Sequence, residues 1–238
     1  MTIATRYERV KASDGGEFDA FCAVPESGTG PGILLFQEIF GINNNIRELA
    51  QRLAGEGYVV LAPDMFWRIE PRFERDDESG MGDAFAMVQK FDFMQGVGDI
   101  QATHAHLLAM PECTGKVGAV GFCLGGGLAF AAAALSRVDG RGPDAAVCYY
   151  GSPVNGLLEH AEAASCALMF HYGNDDPFIA RNLIDDVERA FEGRDDVTLH
   201  RYDAGHAFSN FDAPSMYDEA AANAAWERTL EFFGGQLA

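Results

Sequence analysis

One cysteine of this chain lies in a pattern typical of a nucleophile. Cys123 is the centre of the run Gly-Phe-Cys-Leu-Gly at 121–125, between an apolar stretch at 116–120 and an Ala-rich stretch that begins at Gly126. A strand, a tight turn and a helix in this order predict a strained turn that lifts the central side chain clear of the sheet. Glycines flank it because a Cβ would clash there. The helix dipole favours a thiolate at this position, so we predict covalent catalysis by Cys123.

A thiol nucleophile needs a base, and the base needs an acid that orients it. We predict that the base is His206, in the Ala-Gly-His-Ala-Phe loop after the last predicted strand. The acid is expected in the loop after the strand at 167–172, where Asp175 and Asp176 are adjacent. Position in the loop favours Asp176, with Asp175 as the alternative. His171 lies inside the preceding strand and is interpreted as a core residue.

Acyl transfer also needs hydrogen-bond donors for the developing oxyanion. We predict that these are the backbone amides of Leu124, directly after the nucleophile, and of Ile39, in the loop after an early strand. Glu38 precedes Ile39 at the carboxyl end of that apolar strand, where a carboxylate has no evident structural role. We therefore expect Glu38 beside the sulfur, with a solvated or salt-bridged surface glutamate as the alternative.

The sequence predicts neither a metal site nor an organic cofactor. His104 and His106 are two residues apart on a predicted helix and would face different ways. The glycine spacing around Cys123 also occurs in short-chain dehydrogenases, so a nucleotide-dependent oxidoreductase is an alternative. Such enzymes need a Tyr-x-x-x-Lys sequence after the glycines, and the one match, Tyr7 to Lys11, precedes them. The Gly-Lys-Ser/Thr sequence of a P-loop is absent.

Strands and helices are predicted to alternate along the chain. Residues 6–12 and 17–24 flank an Asp-Gly-Gly turn and predict a β-hairpin. Buried-strand runs then alternate with helical periodicity, so we predict an α/β fold with a mainly parallel central sheet and helices on both faces. The carboxyl ends of the strands would line the active crevice. Further strands are predicted at 32–36, 58–62, 116–120, 145–150, 167–172 and 197–202, and helices at 46–56, 84–93, 98–110, 179–191, 215–233 and after the cysteine.

The composition restricts the possible partners and location. The 238 residues carry a net charge of −19 with three lysines, so nucleic acid and anionic membranes are not expected as partners. The five cysteines are odd in number and widely spaced, which favours a reducing compartment. With no signal-peptide pattern and no membrane-spanning run, we expect a cytoplasmic protein made of one domain, 1–238. The oligomeric state is left open.

The chain resembles the dienelactone hydrolase (carboxymethylenebutenolidase) family, whose members have the α/β-hydrolase fold. The order nucleophile, acid, histidine along the chain is the order of that fold. Agreement in order and spacing extends over about residues 20–233 and makes the resemblance more specific than the turn around Cys123 alone. It is carried by Gln-Glu-Ile-Phe-Gly-Ile-Asn at 37–43, Gly-Val-Gly-Asp at 96–99, Gly-Lys-Val-Gly at 115–118, Gly-Phe-Cys-Leu-Gly-Gly at 121–126 and Ala-Gly-His-Ala-Phe at 204–208.

The resemblance supports the roles argued from the residues and adds others. It implies that Cys123 is the nucleophile, His206 the base and Asp176 the orienting acid. It further implies that Glu38 contacts the resting thiol and is displaced when substrate binds. The other residues that it implies in the oxyanion hole or near the pocket are Leu124, Ile39, Trp67, Tyr149 and Tyr150.

Two positions depart from the pattern of the family. Its members hold a substrate carboxylate with two arginines, at positions that correspond here to Met81 and Asn210. Neither side chain replaces the charge pairing of a bidentate arginine. Arg68, Arg72 and Arg75, in the charged loop before Met81, are candidate substitutes.

We therefore expect a hydrolase that cleaves a small-molecule ester or lactone through a thioester on the cysteine, without a cofactor. Because a thiolate leaves more readily than a plain alkoxide, activated carbonyls such as enol lactones and aryl esters are favoured. A binding or regulatory protein on a hydrolase fold is the alternative from another functional class.

Overall fold

The described part of the chain is built around one sheet of eight strands. The computed structural model describes residues 3–75 and 78–238. The strands are β1 (Ala4–Lys11), β2 (Glu17–Val24), β3 (Gly30–Phe36), β4 (Val59–Pro63), β5 (Cys113–Phe122), β6 (Ala145–Tyr149), β7 (Ala167–Gly173) and β8 (Val197–Tyr202). They lie in the order β1-β2-β4-β3-β5-β6-β7-β8. The β1–β2 and β2–β4 pairs are antiparallel and the other pairs are parallel.

The predicted N-terminal hairpin is confirmed. β1 pairs with β2 along its whole length, and Lys11 lies opposite Glu17 next to the turn. In the turn, Gly15 has a φ of 90°, in the left-handed region, and the Gly16 N–H donates to the Asp14 carboxylate at 3.0 Å. Because β2 then pairs with β4, the hairpin extends the parallel part of the sheet by two antiparallel strands.

Helices connect the parallel strands and cover both faces of the sheet. Successive residues of a strand point to opposite faces. All residues of β4, β6 and β7 are nevertheless buried, which requires packing on both sides. The mainly parallel α/β architecture is therefore confirmed. The helices are α1 (Asn44–Gly55), α2 (Met81–Lys90), α3 (Phe93–Ala109), α4 (Leu124–Leu135), α5 (Arg181–Ala190) and α6 (Glu219–Gln236).

The helix predictions hold except for the segment after β6. Each predicted helix is present with its ends shifted by a few residues. The 3₁₀-helical segment Ser152–Ala163 has no counterpart among the predicted elements, because Pro153 and Gly156 interrupt any regular periodicity. None of the described helices is long and apolar enough to cross a membrane.

Four parallel strands lead directly into the residues predicted to be catalytic. β3 ends just before Glu38 and Ile39, β5 just before Cys123, β7 before Asp176 and β8 before His206. Since the carboxyl ends of parallel strands meet at one edge of the sheet, the loops after them converge there. The fold thus brings residues that are far apart in the sequence to a common crevice.

Candidate active site

Cys123 occupies the strained turn that its flanking glycines predict. Its φ is 55° and its ψ is −114°, a region that residues other than glycine rarely adopt. It lies between the end of β5 and the first turn of α4, and its N–H donates to the Tyr149 carbonyl of β6 at 3.0 Å. The neighbouring strand therefore helps to hold the turn in this conformation.

The two glycines of the turn are required by close backbone approaches. A Cβ on Gly121 would lie 1.9 Å from the carbonyl oxygen of Gly125. A Cβ on Gly125 would lie 2.3 Å from the carbonyl oxygen of Phe36, at the end of β3. Either substitution would push α4 away from the sheet. The glycines thus fix the position of the sulfur relative to β3 and β5.

The structure brings Cys123, His206 and Asp176 into one hydrogen-bonded chain. His206 Nε2 lies 3.1 Å from Cys123 Sγ, and His206 Nδ1 lies 2.7 Å from Asp176 Oδ2. His206 and Asp176 are buried, while Cys123 is partly exposed. This geometry allows a proton to pass between sulfur and imidazole while the carboxylate holds the ring.

The surroundings of the two adjacent aspartates differ. The side chain of Asp176 is fully buried, and its Oδ1 accepts hydrogen bonds from two backbone N–H groups of its own loop, at 2.7 and 3.0 Å. These bonds leave Oδ2 for His206. Asp175 is 69% exposed and pairs with Arg181 at 3.1 Å. Of the two carboxylates, Asp176 is the one that contacts the histidine.

Opposing effects set the charge of His206. Burial alone disfavours the imidazolium, but the hydrogen bond to Asp176 and the neighbouring Cys123 sulfur raise the pKa of His206 to about 10. The rings of Tyr150 and Phe178 pack against the imidazole, each with its centroid 5.1 Å away. The imidazole is therefore held in place, and at neutral pH it favours the protonated form beside the sulfur.

Glu38 is buried in the same site, which excludes the surface-glutamate interpretation. Its Oε2 accepts a hydrogen bond from Asn210 Nδ2, and its Oε1 has no partner among the described residues. Burial raises the pKa of Glu38, although the charge of His206, the Asn210 amide and the Tyr150 hydroxyl act in the opposite direction. Within residues 3–75 and 78–238, no hydrogen bond joins Glu38 to Cys123, because the sulfur contacts His206 instead.

A cavity of about 170 Å³ lies beside the sulfur, and its lining is mostly apolar. A larger groove of about 450 Å³ lies between α5 and β8, but none of the three hydrogen-bonded residues lines it. The smaller cavity is therefore the candidate substrate site. Its lining includes the predicted residues Glu38, Ile39, Met81, Cys123, Leu124 and His206.

Leu124 and Ile39, the two residues predicted to supply the oxyanion-hole amides, lie at the cavity. Both line the cavity together with Cys123. Leu124 is the first residue of α4, so no carbonyl of its own helix can accept its N–H. Asn210 does not line the cavity and contacts it only through its hydrogen bond to Glu38.

The two aromatic residues Trp67 and Tyr149 do not line the cavity. Trp67 donates its indole N–H to Asp99 at 2.9 Å and stacks on Phe18. Tyr149 is buried in the sheet, with its hydroxyl 2.6 Å from the Thr229 hydroxyl. Tyr149 is buried in the core, whereas Trp67 is partly buried and packs against it. Tyr150 does not line the cavity either, and its ring packs against the imidazole of His206.

Sequence reasoning missed several residues that line the cavity. Phe85 and Val88 belong to one side of α2, where their spacing of three was a detectable signal. Phe178 follows the catalytic-acid candidate by two residues in the same loop, so its proximity was also predictable. Ser152 and Pro153 come from the 3₁₀-helical segment, which has no regular pattern in the sequence.

The described residues contain no group of three or more His, Cys, Asp or Glu that could hold a metal ion. His104 is buried, with its Nδ1 3.3 Å from the Ser136 hydroxyl, and burial lowers the pKa of His104 to about 4. His106 lies 3.4 Å from Glu8 instead. The two histidines thus have separate surroundings.

Comparison with known proteins agrees with this architecture. The sequence model of the dienelactone hydrolase family matches residues 18–237. The chain belongs to this family. It is similar to a carboxymethylenebutenolidase of Pseudomonas sp. strain P51, with 37% identity over 93% of this chain and 92% of the relative. It is also similar to a carboxymethylenebutenolidase of Pseudomonas putida, with 35% identity over 94% and 93% of the two chains.

A solved structure shows the same fold. The dienelactone hydrolase-like promiscuous phosphotriesterase P91, from metagenomic libraries, superposes with a TM-score of 0.81. It is 25% identical, and the alignment covers 99% of this chain and 100% of that one. This dienelactone hydrolase family member is therefore a hydrolase with the α/β-hydrolase fold.

Proposed function

We propose that the protein hydrolyses activated esters or lactones of small molecules through a thioester on Cys123. The observation that carries the proposal is the hydrogen-bonded chain from Cys123 Sγ through His206 to Asp176, at 3.1 and 2.7 Å. The choice of an ester or lactone bond follows from its relatives, which include carboxymethylenebutenolidases, since a butenolide is a lactone. In this proposal the whole chain acts as one domain, and no step requires a metal ion or an organic cofactor.

The first half of the reaction transfers the acyl group to sulfur. The Cys123 thiolate attacks the carbonyl carbon, a C–S bond forms, and the carbonyl electron pair moves onto the oxygen. The amides of Leu124 and Ile39 donate hydrogen bonds to this oxyanion. When the intermediate collapses, the C–O bond of the leaving group breaks and His206 donates its proton to the leaving oxygen. A thioester on Cys123 and a neutral imidazole remain.

The second half returns the enzyme to its starting state. In the thioester the sulfur is uncharged, so one of the groups that raise the pKa of His206 is removed. The imidazole can then take a proton from water, whose oxygen attacks the thioester. Collapse of this intermediate breaks the C–S bond and releases the carboxylic acid. Asp176 keeps the imidazole in the required orientation through both halves.

The choice of sulfur restricts the substrate. The first tetrahedral intermediate can collapse in either direction, and a thiolate leaves more readily than an alkoxide or an amine. Acyl transfer therefore needs a leaving group that is itself stabilised, such as an enolate or an aryl oxide. Enol lactones and aryl esters satisfy this condition, whereas amides do not.

The proposal is tested by comparing two cysteine substitutions. Cys123→Ala should lower kcat/KM for an aryl acetate by about five to six orders of magnitude, since removal of a triad nucleophile costs on the order of 10⁶ in rate. Cys166→Ala is the matched control, because Cys166 does not line the cavity and burial raises its pKa to about 11. The control should retain nearly all activity. If Cys123→Ala keeps a tenth of wild-type turnover, or if the wild type has none, the proposal is wrong.

A further inference from the structure

The cavity beside Cys123 offers few polar contacts to a ligand. Most of its lining is apolar and includes Met81, Phe85 and Met216. Phe85 is 45% exposed, which places a large apolar side chain at the solvent boundary of the cavity. The volume, about 170 Å³, is close to the roughly 150 Å³ of an engineered apolar cavity that binds benzene. The part of a ligand that fits inside is therefore about one small, apolar ring.

Among the lining residues, the one that carries a positive charge is already paired. His206 is that residue, and both of its ring nitrogens are engaged, Nδ1 by Asp176 and Nε2 by Cys123. Neither lysine nor arginine occurs among the residues that line the cavity in the described part of the chain. A negative charge on the ligand would therefore meet no free cation.

The arginines of the preceding loop are committed elsewhere. Arg68 forms a bidentate pair with Asp99, through Nε at 2.9 Å and Nη2 at 2.8 Å. Arg72 pairs with Asp19 at 2.6 Å. The third, Arg75, donates to Asp83 at 2.8 and 3.0 Å, and none of the three lines the cavity.

Glu38 makes the site still less favourable for an anion. It is a carboxyl group in the cavity wall, held by the neutral amide of Asn210, and its Oε1 has no partner among the described residues. Burial raises its pKa, which shows that this environment disfavours a negative charge. A carboxylate of the ligand placed next to it would face the same desolvation, and at pH values where Glu38 is ionised it would also be repelled.

We infer that this site selects uncharged lactones and esters and rejects substrates that carry a carboxylate near the reacting carbonyl group. The inference rests on the proposed function and specifies its substrate class. The selection comes from the apolar side chains of Met81, Phe85 and Met216 in the cavity wall, together with the buried Glu38. A substrate carboxylate would have to be desolvated without a partner, which in a buried site typically costs two or more orders of magnitude in affinity.

A matched pair of substrates tests the inference. One is an enol lactone that carries a free carboxylate on its exocyclic carbon, and the other is the methyl ester of the same molecule. Ring opening of both is followed by the loss of ultraviolet absorbance, and their reactivity towards hydroxide corrects for intrinsic differences. We expect wild-type kcat/KM to be at least about 100-fold higher for the methyl ester, the loss typical of an unpaired buried charge. A preference for the free carboxylate would overturn the inference.

A pair of arginine substitutions tests the origin of the selection. Met81→Arg places a cation in the cavity wall, where it can pair with the carboxylate of the substrate. This variant should raise kcat/KM for the carboxylated lactone at least about tenfold relative to the methyl ester, which is the effect expected of one screened charge pair. Met94→Arg is the control with the same change in net charge, since Met94 is 62% exposed and does not line the cavity. It should leave the ratio unchanged. An equal effect of both variants would refute a local origin.

The outcomes separate this inference from the proposed function. If neither lactone is opened and no thioester forms with an aryl acetate, the proposed function fails. If a thioester forms but the carboxylated lactone is preferred, the function stands and the substrate class is wrong. Because the wild-type ratio alone decides this second point, the test does not depend on the folding of any variant.

Discussion

Replacing Asp176 by asparagine separates its electrostatic role from its role in the loop. The Oδ1 atom of Asp176 already accepts two backbone N–H groups, at 2.7 and 3.0 Å. In Asp176→Asn the amide oxygen takes over these bonds, and the NH₂ group is directed at His206 Nδ1. Since an NH₂ group can only donate, Nδ1 must become the acceptor and the ring proton moves to Nε2, facing the sulfur. The imidazole can then no longer hold a second proton, so the imidazolium that the wild type favours beside the sulfur is lost.

The expected loss follows from this change of tautomer. The equivalent substitution in a serine protease triad lowers kcat about 10⁴-fold, which corresponds to about 5.4 kcal/mol at about 1.36 kcal/mol per decade. We expect Asp176→Asn to lower kcat for an aryl acetate by about three to four orders of magnitude. The backbone bonds of the loop are retained, so the variant should remain folded. Its circular dichroism spectrum and unfolding transition check this point.

Asp175→Asn is the matched control. The Asp175 carboxylate is 69% exposed and, among the described residues, pairs only with the equally exposed Arg181. Exposed ion pairs contribute about 0–1 kcal/mol, and this one does not reach the imidazole. We expect the control to change kcat less than about twofold, because the lost ion pair lies outside the site. The reverse ranking of the two variants, or a loss below tenfold for Asp176→Asn, would refute the assignment.

Three further predictions concern the turn and the charges around it. Gly125→Ala should lower the free energy of unfolding, measured by denaturant titration, by about 2–4 kcal/mol, because its Cβ would overlap a β3 carbonyl. The control Gly98→Ala should be neutral or stabilising in the same measurement, since there is open space around Gly98. The raised pKa of His206, about 10, means that its charge stabilises the fold fully below about pH 6.5 and that this contribution falls as the pH rises towards 10. The difference in Tm between wild type and His206→Gln should therefore shrink over that range, and a constant difference would contradict the charge assignment. Glu38→Gln should make Cys123 react faster with iodoacetamide, because the charge of Glu38 disfavours the thiolate. The difference should grow at higher pH, where Glu38 ionises. Equal rates of the two proteins at every pH would show that Glu38 does not control the thiol.

The sequence predicted the elements that have a strong local pattern. The buried strands read as continuous apolar runs, and the turn around Cys123 combines a strand, two glycines and an Ala-rich helix. Because parallel strands align their carboxyl ends, chain order alone indicated that Cys123, Asp176 and His206 would converge. The structure places these three within hydrogen-bonding distance.

The residues that shape the cavity were harder to predict. The 3₁₀-helical segment that supplies Pro153 has no periodicity, so its position depends on packing against α4. Trp67 and Tyr149 are aromatic residues near the right strand ends, but they form hydrogen bonds to Asp99 and Thr229 and do not line the cavity. Such contacts between distant residues leave no trace in local sequence patterns.

Trapping the acyl-enzyme shows directly whether a thioester forms on Cys123. Wild-type protein is mixed with a para-nitrophenyl ester, quenched in acid within the first turnover, digested and analysed by mass spectrometry. We expect one acyl group on the peptide that contains Cys123, formed as fast as the aryl oxide is released and lost at the rate of steady-state turnover. An acyl group on Ser152, which also lines the cavity, or turnover without any transient adduct, would contradict it.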